Sequence, residues 1–233
     1  MVIKKTVLSV LIILFTCVSA LWAGDTAIFV DLGFSPDGRT YMFGQYGVRS
    51  ANLRPWAELF IVDVNRNVFV QNGRTSLSQN TPIRAGQDGS GIFHQLVSNT
   101  TSLANRHGIN FQNQGLPLYI SRDENPPNRG ERINFRDFLT NRQFYAQVIP
   151  TITGSGNNVR SQFYINLDVT SANGQTKNYR VGTPNFVRQG VMQYNIKRVI
   201  IDAGGNAVIF VIEMKRFAEN GFDVRYMVEA VWL

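Results

Sequence analysis

The sequence predicts an all-β, mainly antiparallel domain with one amphipathic helix, arranged as a β-sandwich or a partial propeller-like array of hairpins. Three observations carry this. Short β-branched and aromatic segments alternate with Gly, Pro, Asn and Asp clusters along most of the chain. The pattern switches once to a helical period, in DGSGIFHQLVSNTTSLANRHG at residues 88–108. A hairpin-like stretch near the start, FSPDGRTYMFGQYG at residues 34–47, has a counterpart near the end.

The opening segment has Lys4 and Lys5, an apolar run from Val7 to Phe15, then the small residues Thr16, Ser19 and Ala20. That order predicts a secretory signal peptide over residues 1–23, cleaved after Ala20 or Ala23, and a single β-rich domain over 24–233. The run is shorter than the ~20 residues that span a bilayer, so the mature chain is expected to lack a transmembrane span and to be periplasmic or secreted. Cys17 is the only cysteine and falls inside this leader. A lipid anchor at Cys17 is the alternative use of the segment, against which Thr16 is an unusual preceding residue. The mature chain then has neither thiol nor disulfide, and its stability rests on its core, for which its length suffices.

Loss of Lys4 and Lys5 lowers the formal charge from +7 to +5, with 18 Arg among the remaining basic residues. These are dispersed. Even SRDENPPNRGERINFRDFLTNR, Ser121 to Arg142, offsets five Arg with Asp123, Glu124, Glu131 and Asp137. An uncompensated basic stripe is missing, which argues against nucleic acid as a partner.

Strands are predicted at Ala27–Phe34, Arg39–Tyr46, Ala57–Val64 and Asn67–Gln71. Pro36 presets φ and Gly38 closes the link, so Ser35 to Gly38 reads as a type I turn. Stepping 100° per residue places Ile92, Phe93, Leu96, Val97, Thr100, Leu103, Ala104 and His107 on one arc, which predicts a helix with Ser90 as N-cap and Gly108 as C′ residue. Its polar face is poor in strong helix formers, so it should depend on docking against a sheet. Strands follow at Leu116–Ile120, Arg132–Phe135, Gln143–Thr153, Ser161–Thr170 and Thr176–Val181, with a loop at Asn125-Pro126-Pro127 and a hairpin signal at Asn173-Gly174. The last group is Met192–Asp202, Ala207–Lys215 and Val224–Trp232.

Leu32–Val64 aligns with Val199–Val231 at a constant offset of 167 residues, matching Gly38 to Gly205, Phe43 to Phe210 and Arg49 to Arg216. The shared order of apolar approach, turn, long strand and second strand predicts one hairpin used twice. The segment between holds a helix and no further S-P-D-G-like opening, which disfavours a regular propeller. The two hairpins are expected in opposing or adjacent sheets, with the helix over an edge or an end.

GFSPDGRTYMFGQYG, ELFIVDV, TPIR at Thr81 to Arg84 and GFDVRYM at Gly221 to Met227 resemble the bacterial secreted proteins grouped as domain of unknown function 2259. The resemblance covers nearly the whole mature chain and rests on turns and strands. It implies export and a single β-rich domain, and carries no catalytic residue.

Candidate chemistry is sparse. His94 and His107 are 13 positions apart and about 140° apart in direction on the helix, so they do not form a ligand pair; His107 suits the terminal carbonyls better. Asp88-Gly89-Ser90-Gly91 lacks the strand and spacing of a nucleophile elbow. Asp63 to Asn67 starts like a calcium loop but has Val68 where Gly is needed, so it reads as a turn. Asn99-Thr100-Thr101 is a sequon in the middle of a helix. Glu213 and Glu229 interrupt apolar strands, and a glycosidase-like pair would need them roughly 5 to 9.5 Å apart.

No catalytic, cofactor-binding or metal-binding residue is therefore assigned, and no cofactor is expected. The sequence points to a non-enzymatic binding or structural role in the bacterial cell envelope, toward an envelope protein or glycan. The alternatives are an envelope glycan or peptide hydrolase using acidic residues, and an outer-membrane β-barrel. Against the barrel, AVIFVIEM is apolar on both faces where lipid and lumen should alternate.

Overall fold

A computed structural model describes residues 24–121, 132–219 and 221–233. The expected leader with Cys17 and the expected loop at Asn125-Pro126-Pro127 lie outside the described residues. Three open sheets and one helix account for most of the chain, which bears out the mainly antiparallel β class.

Sheet I is the meander β1 (Ile28–Phe34), β2 (Thr40–Val48), β3 (Pro55–Asp63) and β4 (Val68–Ser78). Helix α1 (Ser90–Arg106) follows, then β5 (Leu116–Ile120). Sheet II contains β6 (Arg132–Asp137), β7 (Arg142–Thr153), β8 (Arg160–Thr170), β9 (Thr176–Val181) and the two-residue β10 (Arg188–Gln189), with order β10-β8-β7-β6 and β9 also on β8. Sheet III has order β13-β12-β11-β5, from β11 (Val191–Ile201), β12 (Ala207–Ala218) and β13 (Gly221–Trp232).

The layers stack as helix, sheet I, sheet III, sheet II. Along β12, Val208, Phe210 and Ile212 pack toward sheet II, with Phe144, Phe163, Ile165 and Leu167, while Ala207, Ile209 and Val211 pack toward sheet I, with Phe34, Tyr41, Phe43 and Phe60. This is the period-2 alternation of a strand buried on both faces, and it explains why AVIFVI is apolar throughout. The other face of sheet I, through Met42, Leu59 and Ile61, takes Ile92, Phe93, Leu96 and Ala104 of α1. The helix thus covers a sheet face at the end of the stack. Gly44 makes that approach possible, since a Cβ there would lie 2.5 Å from the Phe93 ring.

The helix ends differ in how they match expectation. Ser90 is the first helical residue and the N-cap is Gly89; the capping oxygen comes from Asp88, which accepts from the Ser90 N–H at 2.9 Å and from its hydroxyl at 2.5 Å. At the other end Gly108, at φ +65°, donates to Asn105 and Ile109 donates to Ala104, both at 3.0 Å, a Schellman motif. Backbone groups therefore serve the carbonyls that His107 was expected to serve.

The duplicated hairpin is present. Gly38 donates to the Ser35 carbonyl at 2.9 Å and Gly205 to that of Asp202 at 3.0 Å, with φ of +70° and +71°. The hydroxyl of Ser35 accepts from the Thr40 N–H at 3.0 Å, and the Asp202 carboxylate does the same for Ala207 at 2.6 Å, each five residues on. The two hairpins lie in sheets that face each other. The offset of 167 does not hold in the third strand: Phe43 pairs with Phe60, whereas Phe210 pairs with Glu229, so the equivalent of Phe60 is two residues further along. β12 and β13 stay paired further toward their turn than β2 and β3 do, which carries the turn one residue on and the pairing two, and side-chain facing is kept because a two-residue slip preserves the face.

Candidate binding groove

Glu213 and Glu229 do not share a cleft. Glu213 lies opposite Tyr226 on the sheet I face of sheet III, and Glu229 lies opposite Phe210 on the sheet II face. Each has a structural occupation. Glu213 accepts from the Asn195 amide at 3.2 Å and pairs with Lys197 at 3.6 Å. Burial, with the Glu213 carboxylate beside it, pushes the Tyr226 hydroxyl up to about 12.

Glu229 ties all three sheets together. It accepts from Asn67 of the β3–β4 turn at 2.5 Å and pairs with Arg188 of β10 at 3.3 Å, while the Asn67 amide oxygen takes the Ala230 N–H at 2.8 Å. Burial raises the Glu229 carboxyl above its ordinary range, against the pull of Asn67 and Arg188. The Arg188 guanidinium lies 4.8 Å from the ring centroids of both Phe163 and Phe186, so this aromatic cage is filled by the protein's own cation. Asp63 to Asn67 is a turn, as expected, but sequence patterning did not show that Asn67 would become a clamp. Its φ of +52° is the local signature.

The open chemistry lies elsewhere, where sheets II and III diverge at one edge. β5 ends sheet III and β6 ends sheet II, and a shallow groove of about 760 Å³ runs between them. Its floor is aromatic: the Tyr119 and Phe135 rings are 6.2 Å apart, and Phe135 stacks on Phe144 at 5.2 Å. Its rim carries Ile120, half exposed, and Phe138, which is 85% exposed at the tip of the β6–β7 hairpin beside Leu139 at 78%. Asn134, Arg136 and Gln143 supply polar groups. Large apolar side chains so exposed at the lip of a groove are features that a monomer's own folding does not require.

The arginines around this groove differ. Arg132 pairs with Asp168 at 3.1 Å and Arg142 with Asp137 at 3.2 Å. Arg142 also donates to the Gly205 carbonyl at 2.6 Å, which ties the β6–β7 hairpin to the β11–β12 turn. Arg136 places its guanidinium 5.7 Å from the Phe138 ring centroid and bonds Asn141, with no carboxylate partner among the described residues.

None of these groove residues stands out as a site in the sequence. Their signals were dispersed: two short edge strands and an apolar Phe-Leu pair where a hairpin turn would ordinarily be polar.

No helix among the described residues is long and apolar enough to cross a membrane. No curated protein and no solved structure matches the chain. The sequence model of one family does match, over residues 42–232, and its description is Predicted secreted protein (DUF2259). That span takes in sheets II and III, the groove and all of sheet I except β1 and the start of β2, and the chain belongs to this family of predicted secreted proteins.

Proposed function

We propose that this is an exported, non-catalytic component of the cell envelope that binds a partner through the groove between β5 and β6. The observation that carries the reading is the groove itself, shallow and open, with an aromatic floor, an exposed apolar rim and one arginine free of carboxylates among the described residues. Such a surface suits recognition better than a reaction, since a deep pocket with converging titratable groups is the usual setting for catalysis. The opposite facing of Glu213 and Glu229 leaves the acidic-pair hydrolase without its pair.

Two measurements test this. Periplasmic or secreted location with cleavage after Ala20 or Ala23 predicts a mature terminus at Leu21 or Gly24 on N-terminal sequencing after fractionation. A cytosolic protein retaining Met1 overturns export. For the groove, the double variant Ile120→Ser, Phe138→Ser is expected to lose association with isolated envelope material about tenfold, with its thermal midpoint nearly unchanged because both side chains are exposed. Association equal to the parent's overturns the binding face.

A further inference from the structure

We infer that the groove receives an extended segment of another polypeptide, apolar at alternate residues and bearing an acidic side chain, added as a strand to the edge of β5 that no strand among the described residues pairs. This rests on the groove being the binding face. The backbone supplies the first argument. Ser121 donates to the Lys197 carbonyl at 2.9 Å and Tyr119 lies opposite Val199, so the N–H and C=O of Ile120 point away from β11 by the alternation of an antiparallel ladder. A strand edge offers a peptide a row of hydrogen bonds that a sugar ring or an acyl chain does not match.

The side chains supply the second. An extended peptide turns every second residue to the same side, so alternate residues would meet the part-exposed Tyr119 and Phe135, with Phe144 buried beneath them, while the others face solvent. Arg136 supplies the third. On the rim, beside Phe138, its fork of N–H donors matches a carboxylate in a bidentate pair. Arg132 and Arg142 have carboxylates of their own, so among the described residues of the rim the charge left over for an incoming group is that of Arg136.

The test is selection from a display library of random dodecapeptides on the immobilised mature protein, with the Ile120→Ser, Phe138→Ser double variant as counter-target. Peptides that alternate apolar residues and carry Asp or Glu are the expected enrichment. A synthetic copy of the winning peptide should weaken about tenfold or more when alternate backbone amides are N-methylated. Arg136→Gln should abolish the preference for Glu over Gln in that peptide and leave the Gln form binding as before.

No enrichment over the double variant, or undiminished binding by the N-methylated peptide, overturns the strand-addition inference. If the double variant still loses envelope association in that event, the groove remains the binding face and its occupant is another chemistry, which peptide-free glycan strands would then probe. If it keeps association, the binding-face reading falls as well.

Discussion

Gly38→Val is expected to cost about 3 kcal/mol of stability, and Gly205→Val somewhat less, both read as lowered urea midpoints against the parent. Both glycines sit near φ +70°, where a β-branched residue is strained. Gly38 carries a second penalty. A Cβ there would lie 2.6 Å from the Asp202 carboxylate, and that carboxylate cannot move aside freely because it accepts backbone N–H groups from Gly204, Asn206 and Ala207 at 3.0, 2.7 and 2.6 Å. At Gly205 the nearest atom is the end of the Arg142 side chain at 2.9 Å, which can swing away with loss of its bond to Gly205.

Gly174→Val is the internal control: φ is +84° and nothing lies within 4 Å, so it should show strain alone, about 1 kcal/mol. The first turn thus leans on the second, and the two copies of the hairpin are coupled at their turns. A parental midpoint for Gly38→Val, with lost association to envelope material, would make FSPDGR a recognition loop and remove its structural reading.

Asp31→Asn should stabilise the protein by about 2 kcal/mol at pH 7.5 and have little effect below pH 4. The Asp31 carboxyl is half-buried between sheets I and III, and burial raises it from 3.8 to about 6; the neighbouring Tyr41 hydroxyl, the Gly33 N–H at 3.0 Å and the charge of Arg198 offset this only in part. The Tyr41 hydroxyl sits beside that carboxyl without a hydrogen bond of good geometry, so its help is incomplete.

The sign follows from which form the fold prefers. The folded state holds the proton up to about pH 6 and the unfolded chain releases it near 3.8, so the contribution of Asp31 is fully present below 3.8 and is lost as pH rises through about 6. Asparagine keeps the Gly33 contact and has no charge to bury. Urea unfolding of parent and variant at pH 4 and 7.5 decides it. A variant less stable than the parent at pH 7.5 would mean that attraction to Arg198 outweighs the cost of burial.

Turn chemistry carried most of what was legible in advance. Pro36-Asp37-Gly38, Asn173-Gly174 and Gly108 each act within a few residues, and each turn or cap stands where the residues placed it, with Gly174 bonded to Ser171 at 2.9 Å. Where a local signal was ambiguous, tertiary pairing decided. The strand expected to end at Gln71 runs on as β4 to Ser78, because residues 70–73 bulge out against Ile61: Phe69 lies opposite Val62 and Arg74 opposite Phe60. β10 has two residues, too few for any pattern, and exists because Arg188 and Gln189 lie against Ser161 and Arg160.

By itself the sequence determined most of the strands, the helix with its Gly108 end and the repeated turn, since these follow from the conformational preferences of neighbouring residues, and the order of charge and hydropathy in residues 1–23 carried the expectation of export. Tertiary structure decided the rest. Alternation in β11 to β13 says that a strand is buried on both faces, but neither which sheet covers which face nor the β12–β13 register, and it is that register, pairing Glu213 with Tyr226 and Glu229 with Phe210, that sent the two glutamates to opposite sides. The groove arose in the same way. β5 and β6 are neighbours there only because one finishes sheet III and the other sheet II, and an unpaired edge is a property of where strands stop pairing, which depends on segments such as β11 and β7 far along the chain.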